Sequence, residues 1–190
     1  MKKRIPILFK KLIVASSVIG ILLQCGLPYS FSLSSLRYFT TLSNIFVVIY
    51  FATHLKKQNP TLKFAVTMSI SLTGLVAHFM LGDLFTSLPQ NQQLGLFFLH
   101  YMSPICVVLD WILFSKKGKT KKEMPLYATI FPIAYLIFAF STASKFGYPY
   151  PFMDVNQLGT KAVAINLFVL TCAYLAVGYL AYLLDQKLKR

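Results

Sequence analysis

The final apolar run, Ala162 to Leu184, reads AVAINLFVLTCAYLAVGYLAYLL and contains no charged side chain. Coiled as an α-helix it rises about 35 Å, more than the roughly 30 Å hydrocarbon core of a bilayer. A transmembrane strand needs only about ten residues and alternates in polarity; this run is twice as long and does not alternate, so it reads as a spanning helix. Five further runs of similar length precede it, at about Leu8 to Leu27, Leu36 to Leu55, Leu62 to Gly82, Leu94 to Phe114 and Met124 to Ala143. The expected fold is all-α, one domain over residues 1–190 built as a bundle of six transmembrane helices. With 56% hydrophobic and 13% charged residues, the chain has too little polar side chain to clothe a soluble domain of this size.

The formal charge of +14 raises nucleic acid as a partner, but a nucleic-acid surface needs its basic residues laid along one solvated face. Here they fall in short clusters between apolar runs. Lys2, Lys3, Arg4, Lys10 and Lys11 open the first run, and Lys56, Lys57 and Lys63 join the second to the third. Lys116, Lys117, Lys119, Lys121 and Lys122 join the fourth to the fifth, and Lys187, Lys189 and Arg190 follow the sixth. Only Arg37, Lys145 and Lys161 fall on the other side. The asymmetry predicts both termini in the cytoplasm, membrane lipids as the partner and no nucleic acid.

Cys25, Cys106 and Cys172 lie in three different runs without CxxC spacing, which argues against a disulfide framework or a zinc site. No nucleotide, phosphate-loop or metal motif is present, so no cofactor and no metal are expected. The N-terminal segment ending at Cys25 has the outline of a lipoprotein signal, but Gln24 stands where a small residue is required, and the segment is read as a retained first helix.

Function then rests on polar side chains inside apolar runs, which are costly in lipid and mark either interhelical bonds or a site. Thr40, Ser43 and Asn44 share one helical face of the second run. His78 lies near the outer end of the third run, with Asp83 at its rim, and His100, Ser103 and Asp110 lie in the fourth. Pro104 cannot supply the amide that would bond the carbonyl of His100, which predicts a kink there. Counted from the outer ends, Thr40, His78 and His100 all fall within roughly 6 to 9 Å of the boundary, deep enough to converge on one pocket. Asp110, about 15 Å further along its helix than His100, is expected with Trp111 to set packing near the cytoplasmic side. His54 beside Lys56 is read as a boundary residue.

Three segments resemble a known family. Arg37-Tyr38-Phe39-Thr40, Leu99-His100-Tyr101-Met102-Ser103-Pro104 and Tyr150-Pro151-Phe152 with Asp154 are similar in order, spacing and side to elements of the androgen-induced integral membrane proteins. These are multi-span hydrolases of fatty acid esters of hydroxy fatty acids, and the stretch Thr40 to Asn44 is most similar to their bacterial relatives. The resemblance implies a multi-pass protein of a bacterial cytoplasmic membrane that hydrolyses a lipid ester, with Thr40 as nucleophile and His100 as catalytic histidine. The chemistry is sound: an imidazole within hydrogen-bond reach can take the proton from a threonine hydroxyl and return it to the leaving alcohol. Ser43, Asn44 or a main-chain amide are candidate oxyanion donors, and His78 or Asp154 candidate groups to orient His100. Tyr148, Tyr150 and Phe152 form an aromatic loop expected to act as a lid. Two readings of other classes stand beside this one: a small solute or proton transporter with its polar layer at the midplane, and a structural protein in which Thr40 and His100 are separated and bonded to different neighbours.

Overall fold

The computed structural model describes residues 4–80 and 88–189. Among the described residues the regular structure is helical, in two compact units, Met1–Lys116 and Lys117–Arg190. The end of the third run, residues 81–82, and Asp83 lie outside the described residues.

In the first unit, α1 covers Arg4–Gln24, α2 Phe39–Thr53, α3 Pro60–Met80 and α4 Gln90–Phe114. The second unit contains α5, Met124–Phe146, and α6, Val155–Lys187. Five of these are long and apolar enough to cross a membrane, and α2 is apolar but shorter, at 15 residues. Its start differs from the expected Leu36 for a local reason. Ser32 accepts the N–H of Ser34 and caps a 3₁₀ turn over Leu33–Arg37, after which Tyr38 is extended, so helical geometry begins only at Phe39. Conversely α4 begins at Gln90, four residues before the apolar run, because the polar stretch Gln90 to Gln93 is helical without being hydrophobic.

Polarity in the first unit is inverted relative to a soluble domain. Ser16, Ser17, Thr40, Thr41, Ser43, Asn44, Ser69, Thr73 and Ser103 are buried, while apolar side chains face outward, with Leu8 70% and Phe79 77% exposed. The second unit is sheathed likewise, with Ile137 and Phe168 among its exposed residues. Such a continuous apolar exterior suits lipid rather than water.

Helix α1 packs on α2 and along α4, α2 on α3, and α3 on the second half of α4. Ile13, Val47, Tyr50, Phe51, Val66, Ile70, Cys106 and Val107 interlock at the core. Below that core the structure departs from the reading of Lys10 and Lys63 as boundary charges: both are buried. Lys63 forms an ion pair with Asp110, and Lys10 Nζ donates to the carbonyls of His54 and Leu55 at 3.0 Å each, closing the C-terminal end of α2. A cation there satisfies exposed carbonyls and complements the helix dipole.

The second unit is a helical hairpin. Tyr174 Oη donates to the Ala128 carbonyl at 2.9 Å. Asp185, buried near the end of α6, accepts the N–H of Thr120 at 2.8 Å, and Gln186 donates to the Thr120 carbonyl. Gly159, at φ +76°, interrupts α6 after its first turn, so the uninterrupted helix lies beyond it and contains the apolar run from Ala162.

The Lys63–Asp110 pair sets one expectation for stability. Lys63→Met should lower the unfolding free energy in detergent by about 3–5 kcal/mol by stranding a buried carboxylate. The double variant Lys63→Met/Asp110→Leu should recover most of that loss. Thermal melts of the two proteins against wild type measure both.

Candidate active site

The site begins with a defect in α4. Over Phe98–Met102 the helix widens into a π turn, in which the N–H of Ser103 reaches back five residues to the carbonyl of Phe98. Pro104 has no N–H, so neither residue supplies the Leu99 carbonyl with an amide. Asn44 Nδ2 does so from α2, at 3.2 Å. The expected break beside His100 is therefore present as a π turn, and because the register shifts by one residue, the carbonyl rescued by a side chain is that of Leu99. Such single-turn π insertions recur at functional sites.

The π turn carries His100, which is 4% exposed. Its Nδ1 lies 3.0 Å from the Leu96 carbonyl and its Nε2 lies 3.0 Å from Thr40 Oγ1. A carbonyl only accepts, so Nδ1 holds the proton of the neutral ring, Nε2 presents its lone pair, and Thr40 donates to it. A hydroxyl, an imidazole and a main-chain carbonyl that holds the ring are thus joined by consecutive hydrogen bonds, an arrangement in which the imidazole can accept the hydroxyl proton.

Thr40 belongs to the first turn of α2, and its neighbours one turn along hold it. Ser43 Oγ donates to the Thr40 carbonyl at 3.0 Å and lies 2.8 Å from Thr73 Oγ1 of α3. Asn44 Nδ2 also donates to the Thr40 carbonyl, at 2.9 Å. Two carbonyl acceptors on one amide fix its orientation, leaving Oδ1 buried without a partner. Behind His100, Ser103 Oγ pairs with Ser17 Oγ of α1 at 2.7 Å. Gly74 of α3 closes the other flank: a Cβ there would stand 3.2 Å from both the His100 carbonyl and Pro104 Cβ, so only a glycine permits this approach without displacement.

The remaining candidates are placed differently. His78 lies on the exposed face of α3, edge-on to Phe79. The group that orients His100 is the Leu96 carbonyl rather than His78. Ser43 and Asn44 direct their hydrogens at main-chain carbonyls rather than at the Thr40 hydroxyl. Asp154 is in the second unit and caps α6, accepting the N–H groups of Asn156 and Gln157. Tyr150 stacks on Phe152, Tyr148 packs edge-on against Phe140 of α5, and Asn166 of α6 donates to the Phe152 carbonyl, so this loop is anchored to its own hairpin.

Sequence reasoning missed Leu96, Ser17 and Thr73. Leu96 acts through its backbone and leaves no side-chain signal. Thr73 was detectable, since Ser69 and Thr73 repeat at i, i+4 in an apolar run. Comparison of the chain with protein-family models, with curated proteins and with solved structures finds no match.

Asn44→Leu removes the donor to the Leu99 and Thr40 carbonyls while keeping the volume near constant. A loss of about 1–3 kcal/mol is expected in a detergent melt, the cost of a stranded buried carbonyl, together with faster amide exchange around residues 98–103.

Proposed function

We propose that the chain is a six-span protein of a bacterial cytoplasmic membrane, with both termini in the cytoplasm, that hydrolyses fatty acyl esters using Thr40 as nucleophile and His100 as general base. The observation that carries the reading is the Thr40–His100 hydrogen bond at 3.0 Å with Nδ1 held by the Leu96 carbonyl. Proximity supports catalysis over a purely structural use of these residues, which would have them bonded apart. The resemblance of the three segments to the androgen-induced hydrolases points the same way. Sixteen of nineteen basic residues on one side support the orientation, with α2 as a short sixth span that the membrane meets by local thinning or by its flanking 3₁₀ turn.

In the reaction, Thr40 Oγ1 attacks the ester carbonyl carbon as its proton passes to His100 Nε2, and the carbonyl π pair moves onto oxygen. Collapse of the tetrahedral species expels the alcohol oxygen, which takes the proton from Nε2. Water then attacks the acyl-threonine with His100 again as base, releasing the fatty acid and restoring Thr40. Leu96 holds the tautomer through both halves and stabilises the imidazolium formed in each. A substrate with long acyl chains suits a protein sheathed in apolar side chains, because the chains can stay in lipid while the carbonyl enters the polar interior.

The test is hydrolysis by the purified protein in mild detergent over a panel of branched and simple fatty acyl esters. Wild type should turn over at least one member, and Thr40→Ala and His100→Ala should each fall to the uncatalysed rate with their melting temperatures kept. An inert wild type, or activity surviving both substitutions, overturns the reading.

A further inference from the structure

The proposed hydrolysis leaves one requirement open. When Thr40 attacks, negative charge gathers on the former carbonyl oxygen, and in an apolar interior that charge needs preorganised donors. The two polar side chains one turn along α2 are already used. Both hydrogens of Asn44 go to the Thr40 and Leu99 carbonyls, and the hydroxyl of Ser43 goes to the Thr40 carbonyl.

Thr41 differs from them. It is 1% exposed, and its Oγ1 is buried with no hydrogen-bond partner. A threonine hydroxyl in a helix ordinarily bonds a carbonyl three or four residues back, as Thr53, Thr67, Thr142 and Thr171 do here. The residues three and four before Thr41 are Tyr38 and Arg37, and its hydroxyl bonds neither carbonyl. A buried, unsatisfied hydroxyl costs about 1–3 kcal/mol, and valine would fill the same space without that cost.

The backbone adds a second donor at the same place. The ladder of α2 opens with the N–H of Leu42 on the Tyr38 carbonyl at 3.2 Å, and the side chain of the N-cap residue Tyr38 makes no capping bond. The N–H of Thr41 therefore belongs to the first turn, directed out of the N-terminal end where partial positive charge collects. Side chains of a helix tilt toward that same end, so the Thr41 hydroxyl and amide are both directed toward the N-terminal end of α2, and Thr41 follows Thr40 directly in the chain.

We propose that Thr41 is a further catalytic residue, its hydroxyl and main-chain N–H together forming the donor pair that receives the oxyanion. The inference rests on the esterase reading above. It makes the burial of an unsatisfied hydroxyl intelligible: the partner is the charge that forms in the transition state, so the donor is held ready and released from any ground-state bond. It also assigns the substrate's carbonyl oxygen to the N-terminal end of α2, with the leaving alcohol toward His100.

The test compares Thr41→Val, Thr41→Ser and wild type on whichever ester the wild type hydrolyses. Thr41→Val should lower kcat by on the order of 10²-fold, with KM little changed and the melting temperature equal or higher, since an unsatisfied group has been removed. Thr41→Ser should restore most of kcat. Thr41→Ala serves as the same hydroxyl deletion should valine disturb packing. Wild-type kcat in the hydroxyl-free variants, with activity still abolished in Thr40→Ala, overturns the role of Thr41 and leaves the esterase reading standing. A fall in kcat that tracks a lower melting temperature, unrescued by serine, makes Thr41 structural and also overturns it. A wild type inert on the whole panel overturns both proposals.

Discussion

Pro104 removes one main-chain donor from a helix whose exterior is apolar, and the first unit is organised around that loss. In water the stranded carbonyl would take a solvent hydrogen bond at little cost. Between packed apolar helices it has to be met by protein. The chain answers with a π turn over Phe98–Met102 and with Asn44, brought in from α2 to the Leu99 carbonyl. The same two features position His100 and Thr40: the π turn widens α4 at the histidine, and the Asn44 bond fixes α2 beside it. A defect in one helix thereby sets the distance between a hydroxyl and an imidazole 60 residues apart in sequence.

Polar groups of different strength are divided along the unit. The ion pair between Lys63 and Asp110 and the Lys10 contacts to α2 are costly to break from one side, because a buried charge left without its partner loses several kcal/mol. The hydroxyl and imidazole bonds around Thr40 are neutral, each with a net contribution of about 1 kcal/mol. Removing one charged partner therefore disturbs the unit more than removing one of the neutral bonds around Thr40. Glycine at position 74 and the hydroxyl pair Ser17–Ser103 contribute by close packing rather than by charge.

Hydropathy alone determined that the chain is helical and sheathed in apolar side chains, because run length is a local property and a continuous apolar run has few other solutions. It determined less well where helices start. The onset of α2 depends on a Ser32 cap and an extended Tyr38, and the first turn of α4 is built from Gln90 to Gln93, which hydropathy passes over. Pro104 was legible as an interruption, whereas the π register and the identity of the rescued carbonyl were not, since they depend on how several amides redistribute.

Distance along a run could be counted from sequence, and that count put Thr40, His78 and His100 at similar distances from the outer ends of their runs. Direction could not. Tertiary packing turned His100 inward onto Thr40 and left His78 on the outer face of α3, and it buried Lys10 and Lys63, which sequence assigned to the boundary. The physical reason is that residue count fixes height along a helix axis, while the angle about that axis is set by which neighbour the helix packs against, and only the assembled unit decides that.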